Sequence, residues 1–353
     1  MSRSRMSYAR AGVDRKNIRA AHKVLARKLA TTFRERRGRL GEPVFPIGHY
    51  AGLVDIGNGK ILSLHTDSVG TKVIIAHQMR KYDTVGIDCV ATCANDLICT
   101  GSEPISFLDY LAVSKPDPVV SGKIADGIVT GARQAGMAVV GGETAVVPDL
   151  LSSEAGGGID LVGMAAGICS KDELVLGDEI QRGDAIVGVA SSGIHSNGLT
   201  LARKILLRRH SLREKIQSLG RSVGEELLEP TRIYVKPVLE CLRRSEIHGL
   251  AHVTGGGFAK LDRVVSQARF GADLDEMPEV PTIFSLIQKE GRVDDSEMYR
   301  TFNMGVGMIV IAPRRKIDGI VRVFKKSVQN ASVIGRISDE RGVRVRGVGT
   351  LTN

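Results

Sequence analysis

Four stretches of this 353-residue chain set glycine beside residues that can handle charge. The first is 65-HTDSVGTK-72. Gly70 lets backbone N–H groups approach an anion, and Thr71 and Lys72 add a hydroxyl and a cation. Asp67 is the ligand type for a hard cation that neutralises phosphate. The spacing differs from a Walker A loop, which sets its glycines further apart before Lys-Ser/Thr. The second stretch is 92-TCANDLICTGSEP-104, where Asn95 and Asp96 interrupt an apolar helical pattern. A buried Asp is costly unless it is paired, hydrogen-bonded or bound to a cation; the plainer reading is a pair on a wet helix surface. The third is 141-GGETAVVPD-149. Gly141 and Gly142 free the backbone where a strand is expected to end, and Glu143 follows at once, the place where open α/β sheets carry ligand loops. Asp67, Asp96 and Glu143 can then converge as a magnesium-binding cluster, because Mg²⁺ commonly takes one or two carboxylates plus phosphate oxygens.

The fourth stretch has two parts, 191-SSGIHSNG-198 and 252-HVTGGGF-258. Ser196, Asn197 and Gly198 are expected at a helix N-terminus, which favours anions through its free N–H groups. The same residue types also serve as ordinary caps. His195 is a candidate general acid or base, although a lone loop histidine is more often structural. Three consecutive glycines at 255–257 cost backbone entropy, and close approach to a ligand explains them better than stability does. One anion-type site in each half suggests two phosphorylated ligands meeting in a cleft.

These motifs need strands and helices to hold them. In the first half, strands are expected at 60–64, 105–113, 137–140 and 159–169, with helices at 83–100 and 119–135. Residues 171–183 are charged and rich in turn formers, and read as a joint. In the second half, strands are expected at 185–190, 250–253, 305–312 and 332–337. Helices are expected at 199–208, 231–244 (after Pro230) and 316–327. Residues 208–226 read as irregular. Strands alternate with helices throughout, so the fold class is α/β with mixed sheets in two domains. The first spans 1–170, with 1–46 as a basic mobile arm, and the second spans 171–353.

Composition narrows the function classes. The formal net charge is +10, from 49 Lys+Arg against 39 Asp+Glu. The basic residues are scattered and aromatics make up only 4%, with no Trp, so there is little for base stacking. The charge fits a general attraction for anionic substrates, and no specific nucleic-acid partner is expected. Five cysteines form no disulfide framework, which points to a reducing, cytoplasmic compartment. Cys89 and Cys93 share a helix face, but no second pair completes a metal site. No apolar run reaches the length of a membrane span, and the N-terminus lacks the apolar core of a signal peptide.

Nine segments in order make a more specific pattern: 7-SYARAGVD-14, 66-TDSVGTK-72, 82-YDTVGIDCVATCANDL-97, 101-GSEPISFLDYLA-112, 141-GGETAVVPD-149, 191-SSGIHSNG-198, 229-EPTRIYVKPVL-239, 252-HVTGGGF-258 and 298-MYRTFNMGVGM-308. On these the chain resembles the phosphoribosylformylglycinamidine cyclo-ligase (aminoimidazole ribonucleotide synthetase) family of purine biosynthesis, over most of its length. The resemblance implies ATP-dependent closure of formylglycinamidine ribonucleotide to aminoimidazole ribonucleotide, with release of ADP and phosphate. ATP would activate the formamide oxygen, and the ring-closing nitrogen would then displace phosphate. The cofactors implied are ATP and Mg²⁺, with K⁺ left open.

Carried over by residue, Asp67, Asp96 and Glu143 resemble the metal–nucleotide positions. Gly70, Thr71, Lys72 and Asn95, with Gly141 and Gly142, would line the nucleotide end. Ser192, His195, Ser196, Asn197 and Gly198, with Thr254, Gly255 and Gly256, would hold the ribonucleotide. His195 and His252 would move protons beside Asp96. The family implies a homodimer in which strands of two first domains form a shared barrel flanked by helices, with the second domain beside it. Ser68 stands where the family usually has glycine. Lys23 and Lys28 are both candidates for a family lysine near ATP. Other ATP-using members of the same superfamily, such as thiamine-phosphate kinase, selenophosphate synthetase and the amidine synthase of the preceding purine step, share the acidic, glycine-rich first half. They are not expected to carry both 229-EPTRIYVKPVL-239 and 298-MYRTFNMGVGM-308. No Cys precedes Cys89, as one would in a selenophosphate synthetase.

Overall fold

Two mixed sheets organise the chain in a computed structural model that describes residues 5–151, 158–327 and 329–351. Residues 1–4 of the expected arm, and 328 and 352–353 of the second half, lie outside the described residues. The first sheet runs, in spatial order, Glu42–Pro43, Gly52–Asp55, Lys60–Ser68, Ile159–Ser170, Glu103–Val113 and Ala138–Val146. Only the last pair is parallel, and the helix Pro118–Ala135 makes its crossover. Asp117 caps that helix by accepting from the N–H groups of Val119 and Val120, and Gly136 ends it in the left-handed conformation.

The helix Asp83–Ile98 lies between this sheet, the crossover helix and the second half of the chain. It is buried on nearly every side, as its almost continuous apolar and small residues require. It meets the crossover helix backbone to backbone: a Cβ on Gly127 would stand 1.9 Å from the carbonyl oxygen of Asp83. Small residues thus bring the two helices together and leave the polar side chains Asp88, Asn95 and Asp96 with no route to water.

The second sheet runs Gly249–His252, Val306–Ala312, Ala185–Ala190, Ala331–Ser338, Gly271–Leu274, Gly342–Val345 and Gly349–Leu351. Its central strands Ala185–Ala190 and Val306–Ala312 are buried on both faces and correspondingly apolar. Among the described residues no helix is long and apolar enough to cross a membrane.

Several elements differ from the sequence expectations. The strand expected at 60–64 continues to Ser68, so His65 and Asp67 lie in a strand. The strand expected at 137–140 runs Ala138–Val146, so Gly141, Gly142 and Glu143 sit inside an exposed edge strand instead of a loop. The helix expected at 231–244 begins at Val235. Residues 208–226 carry a two-strand ladder and the helix Val223–Leu227. The basic arm contains a helix, Arg15–Leu29, with no buried residue. It is tethered where Tyr8 N–H and the Arg15 guanidinium reach the Glu297 carboxylate at 2.8 and 2.7 Å.

Candidate active site at the junction of the sheets

The buried helix Asp83–Ile98 presents one polar row to the second half of the chain. Asp88, Asn95 and Asp96 fall seven and eight residues apart, on one helical face. Asp88 accepts from Thr231 N–H at 2.7 Å and from its hydroxyl at 2.6 Å. Asn95 donates to the Arg232 carbonyl at 2.8 Å and accepts from Tyr234 N–H at 2.9 Å. These bonds take up the backbone of residues 231–234, which is why the helix after Pro230 starts late. Asp96 accepts from His252 Nδ1 at 2.7 Å.

Around Asp96 the two halves assemble an ionic centre. His65 Nε2 lies 3.6 Å from the second Asp96 oxygen, while His65 Nδ1 is held by the Tyr50 carbonyl at 2.6 Å. Asp67, two residues along the same strand, faces the same side. Burial pushes the Asp96 carboxyl upward, but the Lys260 ammonium, the His252 bond and the His65 ring outweigh it and hold it well below the usual carboxylate range. Burial first, and then the Asp96 charge, push Asp67 upward. Two carboxylates of opposed tendency, one stripped of water and repelled by the other, accommodate a bound cation. Among the described residues no group of three acidic, His or Cys ligands forms a closed cage. The pair therefore suits an ion that shares its shell with phosphate oxygens and water, as Mg²⁺ does.

Glu143 does not join them. Asp67 is aligned with Gly163, Gly163 with Asp109, and Asp109 with Gly142. That is three strand spacings, roughly 14 Å. Glu143, one residue past Gly142, points to the opposite, open face of the sheet. Sheet order, invisible in the local sequence, separates it from Asp67 and Asp96, and takes Gly141 and Gly142 with it. Asp109 is the acidic residue on the Asp67 face, and burial pushes its carboxyl upward.

Lys72 also departs from expectation. Its fully buried ammonium contacts Asp88 at 2.7 Å and the Glu229 carbonyl at 2.6 Å, so it ties the first domain to the segment after residue 228 instead of facing a nucleotide. Asn95 is likewise spent on residues 232–234. Gly70 has φ +64°, and Thr71 precedes the helix Lys72–Met79 without capping it, its hydroxyl lying 2.9 Å from that of Thr200. Thr200 lies in the first turn of the helix Leu199–Leu206, so the two glycine-led helix starts, after Gly70 and after Gly198, face each other across the junction.

The second-domain motifs do come together. A Cβ on Gly255 would lie 2.7 Å from Asn197 Oδ1, so the loops 191–198 and 254–257 touch. Ser192 donates to the Pro230 carbonyl at 2.6 Å, and the Ser196 hydroxyl meets Thr231 at 3.1 Å. Asn303 staples the first loop by donating to the Gly193 carbonyl at 2.9 Å while accepting from Ser191 and Gly305. The Lys260 side chain donates to the Thr254 hydroxyl and lies over the Tyr50 ring, 5.7 Å from its centroid. His65 opens 65-HTDSVGTK-72 and Asn303 lies inside 298-MYRTFNMGVGM-308, but neither residue type pointed to a role there; Lys260 and Tyr50 lie outside the motifs.

His195 and His252 lie side by side, with ring centroids 6.4 Å apart. His195 is buried and has φ +65°, a left-handed conformation that non-glycine residues adopt at a cost. Burial, followed by the charges of His252, Lys72 and Arg232, pushes its imidazole far down, so it is neutral at physiological pH. Its Nε2 accepts from Ser192 N–H at 3.3 Å, which assigns the ring proton to Nδ1, a buried atom with no partner among the described residues. His195 is thus a neutral hydrogen-bond donor. His252 spends Nδ1 on Asp96, and its Nε2 faces the Asn95 amide at 3.4 Å, so it orients Asp96.

Comparison with known proteins gives the family. The AIR synthase related protein N-terminal domain matches residues 48–169, and its C-terminal domain matches residues 181–348. The chain belongs to the AIR synthase related family. A phosphoribosylformylglycinamidine cyclo-ligase of Thermococcus kodakarensis is 46% identical over 98% of this chain and 99% of that protein. One of Thermococcus gammatolerans is 47% identical, with the same coverage. The thiamine-monophosphate kinase of Stenotrophomonas maltophilia shares the fold, with TM-score 0.62 and 19% identity over 91% of this chain and 96% of that one. The family resemblance read from nine motifs and the mixed α/β class therefore stand, and the AIR synthase family places the chain among ATP-dependent, ring-forming enzymes.

Proposed function

We propose that the chain converts formylglycinamidine ribonucleotide and ATP to aminoimidazole ribonucleotide, ADP and phosphate, as a cyclo-ligase of purine biosynthesis. The observation that carries this reading is the joining of a carboxylate pair in the first domain to a glycine-rich anion cradle in the second through the His252–Asp96 bond. Near-full-length identity to cyclo-ligases favours ring closure over a kinase-like reaction, because the thiamine-monophosphate kinase shares the fold alone.

Asp96 and Asp67 are the residues that would hold Mg²⁺, which supplies charge neutralisation at phosphate oxygens. Asp96 is kept ionised by the Lys260 charge, His252 and His65, and is held in place by His252. The loops 191–198 and 254–256 offer backbone N–H groups, the Ser196 and Asn197 side chains and a left-handed Gly198 to the ribonucleotide phosphate. His195 donates its Nδ1–H to the substrate and, being neutral, polarises an oxygen without taking its proton. Nothing in this arrangement acts as an enzyme nucleophile. The junction instead holds the reacting nitrogen against the activated carbon, which is the main requirement of a ring closure.

The homodimer is assigned to the open face of the first sheet. Leu64, Tyr110 and Met164 are large apolar residues exposed there, and the edge strand Ala138–Val146 adds the exposed Val139 and Val140. A long apolar edge of this kind is covered in soluble proteins. The domain division near residue 170, cytoplasmic residence and the absence of nucleic-acid and membrane partners belong to the same reading. Equal yields of ADP and aminoimidazole ribonucleotide from the purified chain test the central assignment.

A further inference from the structure

Lys260 stands in the short helix Gly257–Leu261, directly after the glycine run of the second domain. Its ammonium donates to the Thr254 hydroxyl, and its charge reaches Asp96 and Asp67 of the first domain strongly enough to favour their ionised forms. Yet, among the described residues, no carboxylate oxygen lies within 4.0 Å of it. An ammonium has three donors, and a single neutral hydroxyl uses one. Burial disfavours this charge, and Arg263 repels it over the same Tyr50 ring. Half-buried and without a contacting carboxylate, this cation keeps donors free for a ligand. It stands beside the Thr254–Gly256 turn, within reach of the charge of the carboxylate pair.

We infer that Lys260 is a catalytic residue: its ammonium contacts the phosphoryl group in transit from the nucleotide to the substrate. This rests on the cyclo-ligase reading. In the step concerned, the bond from the bridging oxygen to the γ-phosphorus breaks and its electron pair leaves with ADP. A bond from the substrate's formyl oxygen to that phosphorus forms. Phosphate departs later with the former C–O electron pair, when the ring nitrogen attacks. Negative charge gathers on the phosphoryl oxygens in the first step, and a fixed cation there acts more strongly in the transition state than on the bound substrates. Thr254 sets the ammonium's position, and the Tyr50 face limits its other directions.

The test compares wild type with Lys260→Met, which keeps the packing on Tyr50, and Lys260→Arg, which keeps the charge. Turnover is measured together with calorimetric binding of inorganic phosphate in the presence of ADP and Mg²⁺, and with thermal unfolding. Lys260→Met should lose kcat by about 100-fold or more with KM values within about threefold, and should bind phosphate at least about tenfold more weakly. Lys260→Arg should recover part of both, and it decides the matter if the Met variant unfolds. Unchanged kcat and phosphate affinity in Lys260→Met, or in Lys260→Arg no better than a folded Lys260→Met, would overturn the assignment and leave the cyclo-ligase reading intact. A wild type that makes no aminoimidazole ribonucleotide would instead remove the reading on which it rests.

Discussion

His252 donates its Nδ1–H to Asp96 across the junction of the two sheets, at 2.7 Å, with both side chains almost fully shielded from water. One bond thereby sets the position of the metal-type carboxylate by the position of the second domain. Asp96→Asn keeps the shape but removes the charge, and it should cut turnover by about 100-fold or more. The protein should stay folded, because an amide oxygen still accepts from His252. Steady-state rates over a Mg²⁺ titration check this, and wild-type activity at limiting Mg²⁺ would refute the role.

The Lys72–Asp88 pair is predicted to serve stability. Both side chains are fully buried, and removal of one partner strands the other charge. Lys72→Met should cost about 3–5 kcal/mol of stability. Where the variant is still folded, its KM for ATP should remain within about threefold of wild type. Denaturant unfolding and steady-state kinetics together check this. A large rise in KM with unchanged stability would return Lys72 to the nucleotide site.

Acid should loosen the fold through histidines held neutral. Burial lowers His49 from 6.5 to about 4, against the weaker support of the Leu176 carbonyl. Between those pH values the unfolded chain binds more protons than the folded one, so stability is full above about 6.5 and falls as pH drops towards 4. His195 acts in the same direction. His49→Phe, which keeps the edge-on contacts with Phe45 and Tyr50, should flatten this acid limb. Unfolding temperatures from pH 4.5 to 7.5 check it; parallel curves for variant and wild type would contradict it.

The open sheet face predicts assembly. Val140 is 62% exposed on the edge strand. Val140→Lys should shift the sedimentation profile from dimer towards monomer at micromolar concentration. A wild-type chain that sediments as a monomer throughout would contradict the homodimer.

Much of this site could be read from residue types. Asn95 and Asp96, polar inside an apolar helix, are buried and bonded across the domains, and the motifs around His195 and Gly255 touch as their glycines suggested. What stayed hidden depended on long-range partners. A lysine after Gly-Thr has the local form of a phosphate ligand, and only the fold brings Asp88 to Lys72. Glu143 follows two glycines, as a ligand-loop acid would, but strand order places it three strands from Asp67 and pleating turns it away. Residues 231–234 have helical composition, but Asp88 and Asn95 claim their N–H groups. Lys260 becomes visible only when Tyr50, Thr254 and the two carboxylates are assembled around it.

The most direct measurement incubates the purified chain with formylglycinamidine ribonucleotide, ATP and Mg²⁺ and follows ADP and aminoimidazole ribonucleotide together, with thiamine monophosphate as the rival substrate. The account predicts equal amounts of ADP and imidazole product, and no ADP above background with thiamine monophosphate. ADP released without the imidazole, or phosphorylation of thiamine monophosphate, would contradict it.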